Sequence, residues 1–169
     1  TVYLSSAGTG SITAAQVNNG SSDICSAVTL SVSPTNYTCS NVGNNTATLT
    51  VTDASGNTKT CTATITVRDL VAPTAICQNV TVTLNSAGSG STTAAAVNNG
   101  SSDACGLATT NPLVLNNSSF TCANIGSGNT VILTVTDKNT NTSTCSATVT
   151  VVDITAPVAL CQNVTVQLN

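Results

Sequence analysis

The chain has 169 residues, of which 5% are charged and 2% aromatic, with no histidine, tryptophan or methionine and a formal net charge of −3. Three Lys and Arg cannot neutralise a phosphate backbone or an anionic bilayer, which argues against nucleic acid and membrane surfaces as partners. No apolar run approaches the length of a transmembrane helix, and the lack of His removes the base of nucleophile–His–acid catalysis.

Internal repetition overrides any domain estimate from length. Residues 67–85, VRDLVAPTAICQNVTVTLN, return 84 positions later at 151–169 as VVDITAPVALCQNVTVQLN, with thirteen of nineteen positions identical. Residues 13–25, TAAQVNNGSSDIC, return at 93–105 as TAAAVNNGSSDAC. The expected plan is a repeat over 1–69 with its first strand truncated, a linker at 70–76 and a second repeat over 77–153. A further linker at 154–160 and the first strand of a third repeat at 161–169 follow, as in an excerpt from a longer array. Each linker holds an Ala-Pro pair, which favours extended backbone and excludes helix.

In chain order, residues 1–4 read as a strand, 5–11 as a Gly/Ser turn and 12–17 as a second strand. Residues 18–23, NNGSSD, form a concentrated turn signal. A strand over 28–32 and a turn at Pro34 come next. Residues 46–53 then alternate, with Ala47, Leu49 and Val51 facing one way and Thr48, Thr50 and Thr52 the other. Across a hairpin loop at 54–57, Cys61, Ala63, Ile65 and Val67 continue inward. In the second repeat Val131, Leu133 and Val135, then Cys145, Ala147, Val149 and Val151, follow the same plan. This period of two defines strands, and no segment sustains a helical period. The expected fold is all-β: tandem immunoglobulin-like β-sandwiches, end to end and stapled by disulfides. Tyr37 and Phe120 occupy equivalent positions and read as one core plug per repeat, although a tyrosine corner would need the hydroxyl that Phe120 lacks.

Eight cysteines without CxxC spacing or histidine point to disulfides in an oxidising compartment rather than to zinc. Four per repeat allow three connectivities. First and last strands of such sandwiches commonly run parallel, which sets Cys77 beside Cys145. Cys105 is then assigned to Cys122 and, by register, Cys25 to Cys39. This leaves Cys61 and Cys161 without partners in the chain. Each closed loop would stabilise by roughly 3–4.5 kcal/mol in the chain-entropy model.

The motifs AP-x-A-x-CQN-x-TV, SSDxC, an aromatic-Thr-Cys, LTVTD and TCxATxTVxD together resemble the HYR-like, immunoglobulin-type repeats of giant Bacteroidetes surface proteins, the SprB-type gliding-motility adhesins among them. The resemblance spans the whole chain. It implies secretion by a type IX system and display outside the bacterial cell as the shaft of an adhesin fibre. Neighbouring repeats, and the motility or secretion machinery of the cell surface, would be its partners. The common pattern has Asn after the Asp of SSD, where this chain has Ile24 and Ala104, so any role of that Asn does not carry over.

No catalytic set emerges. The six acidic residues are all Asp, each recurs in both repeats, and a lysine for an intramolecular isopeptide bond has no counterpart between repeats. Strand order gathers Asp69, Asp103 and Asp137 at the joint, where a calcium ion would find three carboxylates. The competing reading has each Asp capping a turn through its own backbone. Besides the shaft, two other classes fit: a self-assembling filament or sheath subunit, and a carbohydrate- or surface-binding module, the latter weakened by the scarcity of aromatics.

Overall fold

The computed structural model describes residues 1–167 and is mostly β, in two equivalent units. In the first, β1 (Val2–Tyr3), β2 (Thr9–Ser11), β3 (Thr29–Ser33), β4 (Asn36–Thr38), β5 (Gly43–Thr52) and β6 (Thr58–Arg68) form two sheets. The larger has the order β1-β6-β5-β3, and β2 pairs with β4 in the smaller. The second unit repeats this with β7 (Val80–Thr83), β8 (Ser89–Ser91), β9 (Leu113–Leu115), β10 (Ser119–Thr121), β11 (Gly126–Thr136) and β12 (Thr142–Val152). Its sheets are β7-β12-β11-β9 and β10-β8.

Long β-branched runs build the central hairpins. β5 and β6 pair antiparallel from Gly43↔Val67 to Thr52↔Thr58, turning Ala47 and Leu49 inward and Thr rows outward. The alternation is cleaner in the second unit, where Val131, Leu133, Val135, Val149 and Val151 are all buried. The first strand of each unit lies parallel to the last: Val2 opposite Val67, and Val82 opposite Val151. Tyr37 and Phe120 are 1% and 2% exposed and close the two cores. The Tyr37 hydroxyl also donates to the Pro34 carbonyl at 3.4 Å, a backbone anchor that Phe120 cannot make.

The second strand differs from expectation. Residues 12–17 do not form it; Thr9–Ser11, read as turn, does, pairing with Asn36–Thr38. A single helical turn, α1 (Ala14–Val17), follows. Thr13 caps it, accepting from the Gln16 amide, while the Gln16 side chain accepts from the Thr13 amide at 2.8 Å. This Thr-x-x-Gln box, with two alanines inside, outweighs the weak strand pattern. The equivalent turn, α2 (Ala94–Val97), is capped by Thr93. Cys61, expected inward, is exposed, whereas its counterpart Cys145 is half-covered by the cysteine preceding β7. The segment expected to open a third repeat has no strand pairing over its described residues, 161–167; positions 168 and 169 lie outside the described residues.

Candidate functional site

The feature that sets this chain apart from a simple string of β units is the joint, and two disulfides locate it. Cys77 is bonded to Cys145 with Cα atoms 5.7 Å apart, as the parallel placement of β7 and β12 requires. The other bond is not either of the remaining expected pairs. Cys39 is joined to Cys105, 66 positions away, with a Cα separation of 5.1 Å. Cys25 and Cys122 are therefore free and exposed, as are Cys61 and Cys161. The pairs Cys25–Cys39 and Cys105–Cys122 do not form because Cys39 and Cys105 are bonded to each other across the joint. Cys39 opens a tight helical turn, Cys39–Asn41, and its sulfur is bonded to the following unit. Cys105 sits in the loop that the second unit presents to the first, and it packs into the first unit's core beside Tyr37 and Val67.

The fit is close. Gly8 carries φ +71°, and a Cβ built there would lie 2.6 Å from Cys39 Sγ and 3.4 Å from Ala104 Cβ. Only glycine satisfies both the left-handed backbone and the approach of sulfur. The sequence signal for this residue was the recurrence of Gly-x-Gly at Gly8-Thr9-Gly10 and Gly88-Ser89-Gly90.

The linker is bound along its length. Thr74 and Ser102 exchange backbone hydrogen bonds of 2.8 and 3.0 Å. The Ile76 amide donates to Ser101 Oγ, Asn99 N donates to the Ile76 carbonyl, and Gln78 N donates to the Val97 carbonyl. From the far hairpin, Asn141 Nδ2 reaches the carbonyls of Asp69 and Val71, and Ser143 Oγ donates to the Pro73 carbonyl at 2.5 Å. The NNGSSD stretch, legible only as a turn, is thus the strip on which the linker docks. Residues 69–76 are not the only covalent joint, because the Cys39–Cys105 bond runs beside them.

All six Asp residues cap turns. Asp23 accepts from Cys25 N and Ser26 N, Asp53 from Ser55 N and Asn57 N, and Asp153 from Thr155 N. Asp137, 1% exposed, accepts from the backbone of Asn139 and Asn141 and from the Asn141 side chain, so both its oxygens are satisfied. Of the three residues expected to converge, only Asp69 and Asp103 bring their carboxylates together, within 4.8 Å of each other and of Cys105 Sγ. The sulfur is committed to the disulfide and is no ligand. Asp69 Oδ1 accepts from Val71 N, while Oδ2 is buried without a partner. Asp103 Oδ1 accepts from Cys105 N at 2.7 Å.

No protein-family model matches this chain, and no curated protein is detectably similar to it. The all-β fold and the two disulfides place it among proteins made for an oxidising compartment. Among the described residues no helix is long and apolar enough to cross a membrane.

Proposed function

We propose that the chain is a non-catalytic spacer, a pair of immunoglobulin-like, HYR-like repeats in the shaft of a secreted adhesin fibre on a bacterial surface. The single observation that carries this reading is the double joint: a linker docked by backbone hydrogen bonds, and a disulfide running beside it from one unit to the next. Such a joint fixes the angle between neighbours and transmits tension, which is what a projecting shaft needs. The carbohydrate-binding reading is weakened further, since Tyr37 and Phe120 are buried and Tyr3 alone is an exposed ring. Small-angle scattering of the 169-residue chain should give a particle about twice as long as wide. A globular profile would end the shaft reading. Electron microscopy of the native object separates a single beaded thread from the filament alternative, in which shafts pack side by side.

We also propose that a divalent cation of the calcium class binds between Asp69 and Asp103. A buried carboxylate oxygen without a partner is costly; Oδ2 of Asp69 is such an oxygen, and the Asp69 carboxylate lies within 4.8 Å of the Asp103 carboxylate with no ion pair among the described residues. Water and nearby carbonyls would complete the oxygen shell. Asp137, already satisfied, takes no part.

A further inference from the structure

We infer that Cys39, Cys105, Asp69 and Asp103 form a site for a thiophilic divalent cation of the zinc class whenever the Cys39–Cys105 bond is open, and that this cation holds the joint in its dithiol state. The inference shares two carboxylates with the calcium proposal but does not rest on it. It concerns the reduced joint and stands whether or not the oxidised joint binds calcium.

Every protein disulfide starts as two thiols, so the joint has a dithiol state before it is oxidised. Asp69, Asp103 and Cys105 each bring a ligand atom to within 4.8 Å of the others. Cys39 Sγ is bonded to Cys105 Sγ, so reduction frees a fourth ligand beside them. Spacing motifs miss this set, because its members stand at positions 39, 69, 103 and 105. Zinc takes thiolate and carboxylate ligands at the corners of a tetrahedron, which sets two sulfurs about 3.8 Å apart. With Cα atoms 5.1 Å apart, rotation about the Cα–Cβ bonds of Cys39 and Cys105 reaches that spacing.

The surroundings suit a metal. Backbone amides hold one oxygen of each carboxylate: Val71 N donates to Asp69 Oδ1 at 3.0 Å, and Cys105 N to Asp103 Oδ1 at 2.7 Å. Such bonds orient ligands as outer partners do around bound metals. Oδ2 of Asp69 is buried without a partner, on a side chain only 5% exposed, and a cation supplies the partner it lacks. Gly8 supplies room: a Cβ there would stand 2.6 Å from Cys39 Sγ and 3.6 Å from Cys105 Sγ, so both sulfurs border space kept clear of a side chain. Two thiolates select zinc over calcium. Cys77 and Cys145 also open to a dithiol, but among the described residues no such group of three ligating side chains includes them.

On metal uptake each thiol gives its proton to water and a sulfur lone pair to the cation. Closing the bond needs an oxidant of the disulfide class, such as oxidised glutathione. One cysteine thiolate attacks the oxidant's disulfide and expels a thiolate, and the other cysteine thiolate then displaces the second. The two cysteine sulfurs lose two electrons, the oxidant's disulfide gains them, and the metal leaves as the divalent ion.

The test uses the full chain with Cys25, Cys61, Cys122 and Cys161 changed to Ser, reduced by a trialkylphosphine that is then removed, and titrated with Co²⁺ in the absence of air. The expected result is one equivalent bound with sulfur-to-cobalt charge-transfer absorption and tetrahedral bands, all displaced by equimolar Zn²⁺. Cys77→Ser with Cys145→Ser should keep this spectrum, and Cys39→Ser with Cys105→Ser should lose it. Asp103→Asn, which keeps the oxygen that accepts from Cys105 N, should weaken zinc binding roughly tenfold or more. Zinc added before reduction should preserve the circular dichroism of the folded chain, even where the metal-free dithiol form unfolds. The calcium proposal is tested on the oxidised chain, so either can fail alone. Absence of the sulfur band, a band that survives the loss of Cys39 and Cys105, unchanged zinc affinity in Asp103→Asn, or a reduced chain that zinc does not keep folded would each overturn the inference.

Discussion

Replacing both Cys39 and Cys105 by Ser removes the covalent tie between the units without leaving an unpaired thiol. The bond closes a loop of 66 positions, which the chain-entropy model values at about 4.4 kcal/mol. If one unit opens while its neighbour stays folded, the effective loop is roughly half as long, and the value falls by only about 0.6 kcal/mol. For a chain of this size each kcal/mol moves the Tm by about 2–4 °C, so the double variant should melt roughly 8–18 °C lower. Scanning calorimetry reads that shift, and scattering on the same sample reads the spread of inter-unit distances, which should widen. The matched control is Cys77→Ser with Cys145→Ser, whose loop spans 68 positions inside the second unit. It should cost a similar Tm and leave the distance between folded units unchanged. Equal scattering from both double variants, or an unshifted Tm for Cys39→Ser/Cys105→Ser, would refute the claim that this bond is a joint.

Tyr37→Phe removes one hydroxyl bond to the Pro34 carbonyl and should destabilise the first unit by about 0.5–1.5 kcal/mol in denaturant titration, while the reverse change Phe120→Tyr tests whether the second unit has room for the same anchor. Excess chelator should lower the Tm relative to millimolar calcium, and Asp103→Asn should abolish the difference; identical melting curves in both conditions would leave Asp69 and Asp103 as turn caps. The Asn57 side chain, followed by the Asn57 backbone, holds the Asp53 carboxyl below its ordinary value against a smaller opposing desolvation. Because the folded value is depressed, the contribution is present above the ordinary carboxylate range and is lost as pH falls through the depressed value. Asn57→Ala should move the Asp53 midpoint upward in an NMR titration.

Much of the architecture was legible because it is encoded by alternation. Ala47-Thr48-Leu49 and Ala147-Thr148-Val149 declare both their strands and their inner faces, and the parallel first and last strands carry Cys77 to Cys145. The Thr13 turn was missed for a local reason: four residues with a capping box are too short to show a period. The joint was hidden for a different one. Cys25 and Cys39 are near in sequence, and nothing in the spacing reveals that Cys39 is bonded to a cysteine of the other unit. The Cys105-to-Cys122 interval is three residues longer than the Cys25-to-Cys39 interval, as an interval whose ends are never bonded to each other permits. Asp137 was placed at the right pole, but only its hydrogen bonds to Asn139 and Asn141 show that its charge is already spoken for.

The Cys39–Cys105 bond also changes what stretching can do. From Cys25 to Cys122 the polypeptide runs ninety-seven residues, yet crossing at the bond shortens the covalent route to thirty-one. Fully drawn out, that is about 110 Å rather than about 340 Å. Most β-strand tethers lengthen by unravelling, and each opened domain releases slack that spares its neighbours. Here β5, β6, β7 and β8 all lie inside the bypassed stretch, so breaking every hydrogen bond in them yields no extra length between those two cysteines. A pull applied there can draw out only β3, β4, β9 and β10, which lie on that route, until a sulfur–sulfur bond is reduced.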